Sequence, residues 1–339
     1  MPIDKSFLKP FIVGAIRTVK DLCGIDVQFE TMGPSASFNE RYRVDIAGVI
    51  GITGTRFKGA MTLCFPKEVF LLIMNKMLGE NHTELTRELE DGAAELSNII
   101  FGQAKAALNQ AGHQIKMAIP SVIRGERLES GCPTSTSGDL VILKTPAGPF
   151  IIEFAGALMD EDKAEALAEA QAKRGKEIPK LDAQVLLHFV DGIRKTLRVQ
   201  CNVEPIPGKP YPRKGLEGDF TFQIGGIIGI TSASFGGTFS ICFEKDVFLQ
   251  LVYNLTGEQF TEITKDIEDA AAEIVNICFG TAKKLLNADG YVVQSAIPTI
   301  VRGINLHSAH PANKPPIVMP FSVFNGFFWV EFAFEHLLE

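Results

Sequence analysis

Two short helical segments carry the residues best suited to chemistry. The first reads DGAAELSNIIFGQAK (91–105) and the second DAAAEIVNICFGTAK (269–283). Each contains a glutamate, an asparagine three positions later and a glycine four positions after that. A neutral amide can accept a hydrogen bond from a water molecule and donate one to it, but it cannot act as a general base. The asparagine therefore suits the positioning of a water molecule rather than proton abstraction.

The glutamate and the asparagine belong to a polar stripe on each predicted helix. At 100° per residue, the stripe fills a sector of about 80°. Its members are Asp91, Glu95, Asn98, Gly102 and Lys105 in the first segment, and Asp269, Glu273, Asn276, Gly280 and Lys283 in the second. The opposite side of the first helix carries Leu96, Ile100, Ala104, Ala107 and Leu108. We expect the stripe to face solvent.

The asparagine and the glycine are the unexpected members of this stripe. The helix dipole explains the acidic residues in the first turns and the lysine near the end of the helix. An exposed Asn costs up to about 0.7 kcal/mol and an exposed Gly about 1 kcal/mol relative to Ala, or about 3 kcal/mol over both segments. The stripe therefore favours a docking or catalytic surface, at which Gly102 lets another protein approach closely.

The stripe occurs twice because the whole chain is duplicated. A displacement of 178 positions places Gly14 on Gly192, Thr18 on Thr196 and Arg124 on Arg302. A period this long indicates two tandem domains rather than a solenoid. We predict a first domain over 1–158, a helical linker over 159–180 with its helix at about 160–174, and a second domain over 181–339.

Both copies have the same predicted order of elements. A helix (7–22; 185–198) precedes Gly-broken β-rich runs, a short helix, the long helix with the stripe and a closing hairpin, whose turn in the second copy is Asn325-Gly326. Helices with a mostly antiparallel sheet predict an α+β fold in each domain.

Composition excludes several classes of protein. The 339 residues carry a net charge of -7 with a pI near 5.5, which argues against nucleic-acid binding. No apolar run reaches the roughly 18 residues of a membrane span. The six cysteines form no CxxC pair, so we interpret them as reduced, mostly buried thiols of a cytoplasmic protein.

Other candidate sites are weak. His307 and His310 lie in a loop-like stretch without further ligands, which favours a surface pair over a metal site. The glycines of GVIGITGTRFKG match neither phosphate-binding motif and are interpreted as strand turns or bulges.

The motif resembles a known family. The pattern Asp-x3-Glu-x2-Asn, followed about twenty residues later by Pro120 or Pro298, is similar to that of the CheC/CheX/FliY chemotaxis phosphatases. The stretches GVIGITG, FPKEVF and IPSVIRG resemble the single-domain CheX branch. The resemblance covers nearly all of both copies and implies two tandem CheX-like domains.

The resemblance implies dephosphorylation of a phosphorylated CheY-type receiver. Glu95 and Glu273 would engage the receiver's active-site lysine, while Asn98 and Asn276 would orient the water that attacks the phosphoaspartate. The other stripe residues would contact the partner. Mg²⁺ is expected on the receiver, and this chain is expected to bind no metal or cofactor.

Three alternatives stay open. The chain is either a phosphatase or a non-catalytic adaptor that binds a response regulator or the flagellar switch. Either both copies are active, or one serves only for pairing. The two copies form a pseudo-dimer within one chain, or each pairs with another chain as a homodimer.

Overall fold

The computed structural model describes residues 5–35, 42–54, 57–133, 136, 138–158, 183–213, 219–232, 235–310 and 315–336. The predicted linker (159–180) and its helix lie outside the described residues. The boundaries of the two domains therefore stay a prediction.

The described part of the first repeat contains three helices and seven strands. In chain order they are α1 (Lys5–Cys23), β1 (Gln28–Pro34), β2 (Val44–Thr53), β3 (Phe57–Phe65), α2 (Lys67–Leu78), α3 (Glu88–Gln110), β4 (Lys116–Met117), β5 (Ser121–Gly131), β6 (Gly138–Thr145) and β7 (Gly148–Leu158). Helix α2 follows Pro66 and ends at Gly79, whose φ of 72° allows its N–H to donate to the carbonyl oxygen of Asn75 at 3.0 Å.

The second repeat has the same order, except that two short strands stand where the first repeat has β1. Its elements are α4 (Ala183–Cys201), β8 (Ile206–Pro207), β9 (Tyr211–Pro212), β10 (Phe222–Thr231), β11 (Phe235–Phe243), α5 (Lys245–Thr256), α6 (Lys265–Ala288), β12 (Gln294–Ser295), β13 (Thr299–Ala309), β14 (Ile317–Val323) and β15 (Gly326–His336). The α+β prediction is confirmed in both repeats.

The strands form one sheet that runs through both repeats. Its order is β1-β6-β7-β3-β2-β5-β13-β10-β11-β15-β14-β8, with β4 on β2, β12 on β10 and β9 on β14. Neighbouring strands are antiparallel, including β5 and β13, which join the repeats. The two repeats thus pair with each other within the chain.

A second contact between the repeats joins equivalent residues. The hydroxyl oxygens of Thr53 and Thr231 lie 2.7 Å apart. A Cβ added at Gly51 would lie 2.6 Å from the Cα of Gly229, and a Cβ at Gly229 would lie 2.6 Å from the Cα of Gly51. The interpretation of Gly51 as a turn or bulge was wrong, because Gly51 and Gly229 allow two strands from different repeats to touch.

Hydrophobic residues fill both sides of the sheet. Helices α1–α3 cover one face of the first repeat, and α4–α6 cover the same face of the second. Because strand side chains alternate, Ile152 and Phe154 of β7 join the helix-side core, while Ile151 and Glu153 point to the other face. A third cluster on that other face contains residues of both repeats, including Leu128 and Phe222.

Several features were missed or misplaced by the sequence prediction. Strands β1, β5 and β13 were not predicted as strands. The turn of the second hairpin comprises Phe324 and Asn325 rather than Asn325 and Gly326, because Gly326 already pairs with Val323 in the sheet. In the described part of the chain, no helix combines the length and apolarity that crossing a membrane requires.

Candidate functional site

The long helices α3 and α6 present the polar stripe of each repeat. Their buried sides pack on the sheet and on α1 or α4, with Leu96, Ile100 and Ala104 in the first core. Ala107 is exposed rather than packed, because it lies at the edge of the apolar side near the end of the helix.

All ten stripe residues lie on the accessible side of their helices. In the first repeat, the Asp and the Glu are exposed and the other three stripe residues are half-buried. In the second repeat, the Glu and the Asn are exposed and the other three are half-buried. The exposed residues are Asp91, Glu95, Glu273 and Asn276, and the half-buried ones are Asn98, Gly102, Lys105, Asp269, Gly280 and Lys283. A partner protein can therefore reach the Glu-x-x-Asn pair of either repeat.

The side chains of the two Glu-x-x-Asn pairs have no polar contacts within the described fold. Within the described residues, Glu95, Asn98, Glu273 and Asn276 form no hydrogen bond or ion pair. On a helix, residues three apart have Cβ atoms about 5–6 Å from each other, so one docking group can contact both. The pair is available for an external ligand.

The stripe glycines are also unexplained by packing within the fold. A Cβ at Gly102 or Gly280 would meet no atom within 4 Å. By contrast, a Cβ at Gly14 would lie 3.1 Å from the carbonyl oxygen of Ile100, and one at Gly192 would lie 2.8 Å from that of Cys278. The glycines of α1 and α4 are thus required by close helix packing, whereas those of the stripe leave open space above the helix.

Ion pairs that the sequence analysis missed anchor the start of each long helix. The Nε of Arg124 on β5 donates to Glu90 at 2.8 Å, and Arg302 on β13 pairs with both Glu268 and Glu129. Burial raises the pKa of Glu90, and the hydrogen bond and charge of Arg124 partly oppose this rise. The signal was present in the sequence, since the 178-residue displacement aligns both the glutamates and the arginines.

The motif prolines lie at the junction of the repeats. Pro120 and Pro298 are buried directly before β5 and β13. A proline without an N–H is tolerated before the first residue of a strand. The stripe helices are therefore positioned by the same two strands that join the repeats.

One stripe lysine differs in its surroundings from the rest of the stripe. Burial lowers the pKa of Lys283, and the positive charge of Lys58 from the first repeat lowers it further. The second stripe thus lies within electrostatic reach of the first repeat.

The prediction for the histidines was wrong. His307 and His310 belong to β13 and its end, and the side chain of His310 is only 1% exposed. Its Nε2 lies 3.3 Å from the Oε2 of Glu331, and its Nδ1 lies 3.0 Å from the hydroxyl of Ser121. Among the described residues, no group of three or more His, Cys, Asp or Glu side chains is arranged to hold a metal ion.

The family model of the chemotaxis phosphatase CheX matches the chain twice, over residues 46–143 and 224–322. The chain belongs to the CheX family. Each match includes the Glu-x-x-Asn pair of one CheX-like repeat, so the two tandem copies suggested by the sequence are confirmed.

Solved structures similar to this chain include several chemotaxis proteins. A CheC-like superfamily protein from Shewanella sp. PV-4 is 31% identical, with 46% of this chain and 99% of that chain covered and a TM-score of 0.43. CheX from Vibrio vulnificus is 28% identical, with 45% and 100% covered and a TM-score of 0.43. A CheX–CheY–BeF₃–Mg²⁺ complex from Borrelia burgdorferi is 22% identical, with 46% and 99% covered and a TM-score of 0.38. The chain matches no curated protein.

Proposed function

We propose that the chain dephosphorylates the phosphoaspartate of a CheY-type response regulator with the long helix of each repeat. The observation that carries this proposal is the pairing of Glu95 with Asn98, and of Glu273 with Asn276, as accessible side chains without partners in the described fold. Both pairs lie within segments that match a family of chemotaxis phosphatases.

The proposed chemistry needs little from this chain. An acyl phosphate is already activated, and the receiver supplies Mg²⁺, so the helper protein only has to hold a water in line with the bond that breaks. The amide of Asn98 or Asn276 would orient that water. The carboxylate of Glu95 or Glu273 would pair with the receiver's lysine and fix the docked position.

The remaining stripe residues support docking in this proposal. Gly102 and Gly280 leave space for the receiver over the helix, because a Cβ at either position would meet nothing. Asp91, Lys105, Asp269 and Lys283 would contact the receiver on either side of the catalytic pair. None of these ten residues is needed for a metal site in this chain.

The test is the decay of a phosphorylated CheY-type receiver from the same organism, with Mg²⁺ and catalytic amounts of the protein. We expect the double variant Asn98→Ala with Asn276→Ala to lower the rate enhancement by about 10²-fold, because the water loses its positioning group. Gln110→Ala serves as a matched control, since Gln110 is an exposed amide at the end of α3.

Binding separates the phosphatase from the adaptor. The double variant should bind the beryllofluoride-activated receiver as the wild type does while failing to accelerate phosphate release. Binding by the wild-type protein without any acceleration would overturn the proposal and establish an adaptor instead.

A further inference from the structure

The two repeats differ on the face of the sheet that is turned away from the helices. A cavity of about 530 Å³ lies there in the first repeat, and residues of the second repeat (Lys265, Glu268, Thr299, Ile300 and Arg302) complete its lining. The corresponding cavity of the second repeat is about 150 Å³. Ligand pockets in proteins range from about 300 to 1,000 Å³, so only the cavity of the first repeat has the size of a binding site.

An arginine from the second repeat fills the smaller site. The side chain of Arg213, which follows β9, is only 1% exposed, and its Nη1 lies 2.9 Å from the Oε1 of the buried Glu331. Its two terminal nitrogens also donate to Ser308, at 3.2 Å to the hydroxyl and 2.6 Å to the carbonyl oxygen. The guanidinium carbon lies 5.6 Å from the centre of the Phe220 ring. The second repeat thus holds the two terminal nitrogens of a guanidinium with a carboxylate and a serine, beside an aromatic ring.

The first repeat keeps this site but lacks the arginine. Displaced by 178 positions, Glu331 corresponds to Glu153, Ser308 to Ser130 and Phe220 to Tyr42, and all three counterparts line the large cavity. Arg213 corresponds to Ser35, which also lines the cavity and has no charge. The acceptor groups are therefore present in both repeats, while, among the described residues, an arginine paired with the buried glutamate is present only in the second. Arg302 and Lys265 also line the large cavity, but Arg302 pairs with Glu129 and Glu268 rather than with Glu153.

Glu153 is, as a result, a buried carboxyl group that lacks a paired cation in the described part of the chain. Ser130 donates a hydrogen bond to it, and among the described residues no lysine or arginine forms an ion pair with it. Burial raises the pKa of Glu153 to about 7, and the hydrogen bond from Ser130 opposes this rise. A buried carboxylate without a cation is unfavourable. A cation that enters the cavity would therefore form with Glu153 the ion pair that Arg213 forms with Glu331 in the second repeat.

We propose that the cavity of the first repeat binds a small molecule with a guanidinium or amidinium group, which pairs with Glu153 and lies over Tyr42 as Arg213 lies over Phe220. Its remaining atoms would lie against the apolar walls at Leu128 and Ile151. Part of the cavity lies beside the long helix of the second repeat, since Lys265 and Glu268 line it. Its lining contains none of the ten stripe residues, so binding in the cavity and the proposed phosphatase activity can be tested separately.

Methylguanidine is the simplest probe, and the neutral N-methylurea is its control of equal shape. Methyl NMR of the full chain should show saturable shifts of Leu128 and Ile151 with methylguanidine but not with N-methylurea. Glu153→Gln should weaken the affinity at least about tenfold, because it removes a charge-assisted hydrogen bond to a buried carboxylate. Glu258→Gln makes the same change of charge at an exposed site outside the cavity and should have no effect.

A second variant tests the site by filling it. Ser35→Arg places the side chain of the second repeat in the first and should abolish binding of methylguanidine. Equal shifts with both probes, no saturation with methylguanidine, or unchanged affinity in Glu153→Gln or Ser35→Arg would each overturn the proposal.

Discussion

The first and second repeats carry the same five stripe residues on their long helices, whereas the opposite face of the sheet holds an open cavity in one and a buried ion pair in the other. Among the described residues, the Glu and Asn of the shared stripe have no partners, so the described fold does not require those residue types. The two pockets differ at several corresponding positions, Ser35 against Arg213, Cys132 against His310 and Ile151 against Trp329, while the buried glutamate and its serine are shared. Contacts within the described fold thus do not explain the shared helix surface, whereas Arg213 occupies the pocket of the second repeat.

The largest expected effect on the free energy of unfolding comes from removing Arg213, the cation in the pocket of the second repeat. Arg213→Ala leaves Glu331 buried without its partner and should lower the free energy of unfolding by about 3–5 kcal/mol. The equivalent change in the first repeat, Ser35→Ala, should cost less than about 0.5 kcal/mol, since Ser35 is exposed. Urea unfolding measures both, and equal losses would contradict the assigned difference between the pockets.

The two buried carboxyl groups should give opposite pH dependences. For Glu331, burial alone would raise the pKa, but the charge of Arg213 outweighs it and, with His310 and Ser308, lowers the pKa from 4.5 to about 2. Its stabilising contribution is therefore present above pH 4.5 and lost as the pH falls toward 2. Glu153 keeps its proton in the folded state up to about pH 7, so the free energy of unfolding decreases as the pH rises from 4.5 to 7.

Each of these carboxyl groups should change the free energy of unfolding by up to about 3 kcal/mol across its pH range. Glu153→Gln should remove the decrease between pH 5 and 7 and leave the acid range unchanged. Urea midpoints at several pH values, compared between wild type and Glu153→Gln, measure this. Parallel pH profiles of the two proteins would show that Glu153 ionises normally.

A smaller effect on stability should distinguish the glycines of the stripe from the glycine at a close helix contact. Gly102→Ala and Gly280→Ala should each stabilise the fold by about 1 kcal/mol, because alanine is the better helix former and its Cβ meets no atom, yet they should slow phosphate release. Gly192→Ala should instead destabilise the fold by about 1–3 kcal/mol, since its Cβ would lie 2.8 Å from a carbonyl oxygen. Thermal unfolding and receiver decay together test the pair; a stripe variant that is more stable and fully active would remove the glycine from docking.

The sequence predicted the features that depend on local periodicity. The short helix after the β-rich runs and the accessible stripe follow from patterns within one segment, and the duplicated order of elements follows from the 178-residue displacement. The pairing of β5 with β13 could not be predicted in this way, because it joins residues far apart in the chain and leaves no periodic signal. The buried His310 was missed for the same reason, since its partner Glu331 comes from a different strand.

The most direct test of the central claim compares the single variants Asn98→Ala and Asn276→Ala in the decay of the phosphorylated receiver. Two equivalent and independent sites predict that each single variant keeps about half of the wild-type acceleration and that the double variant keeps about 1%. If one single variant kept the full acceleration and the other lost it, only one repeat would be catalytic and the equivalence of the two helices would be contradicted.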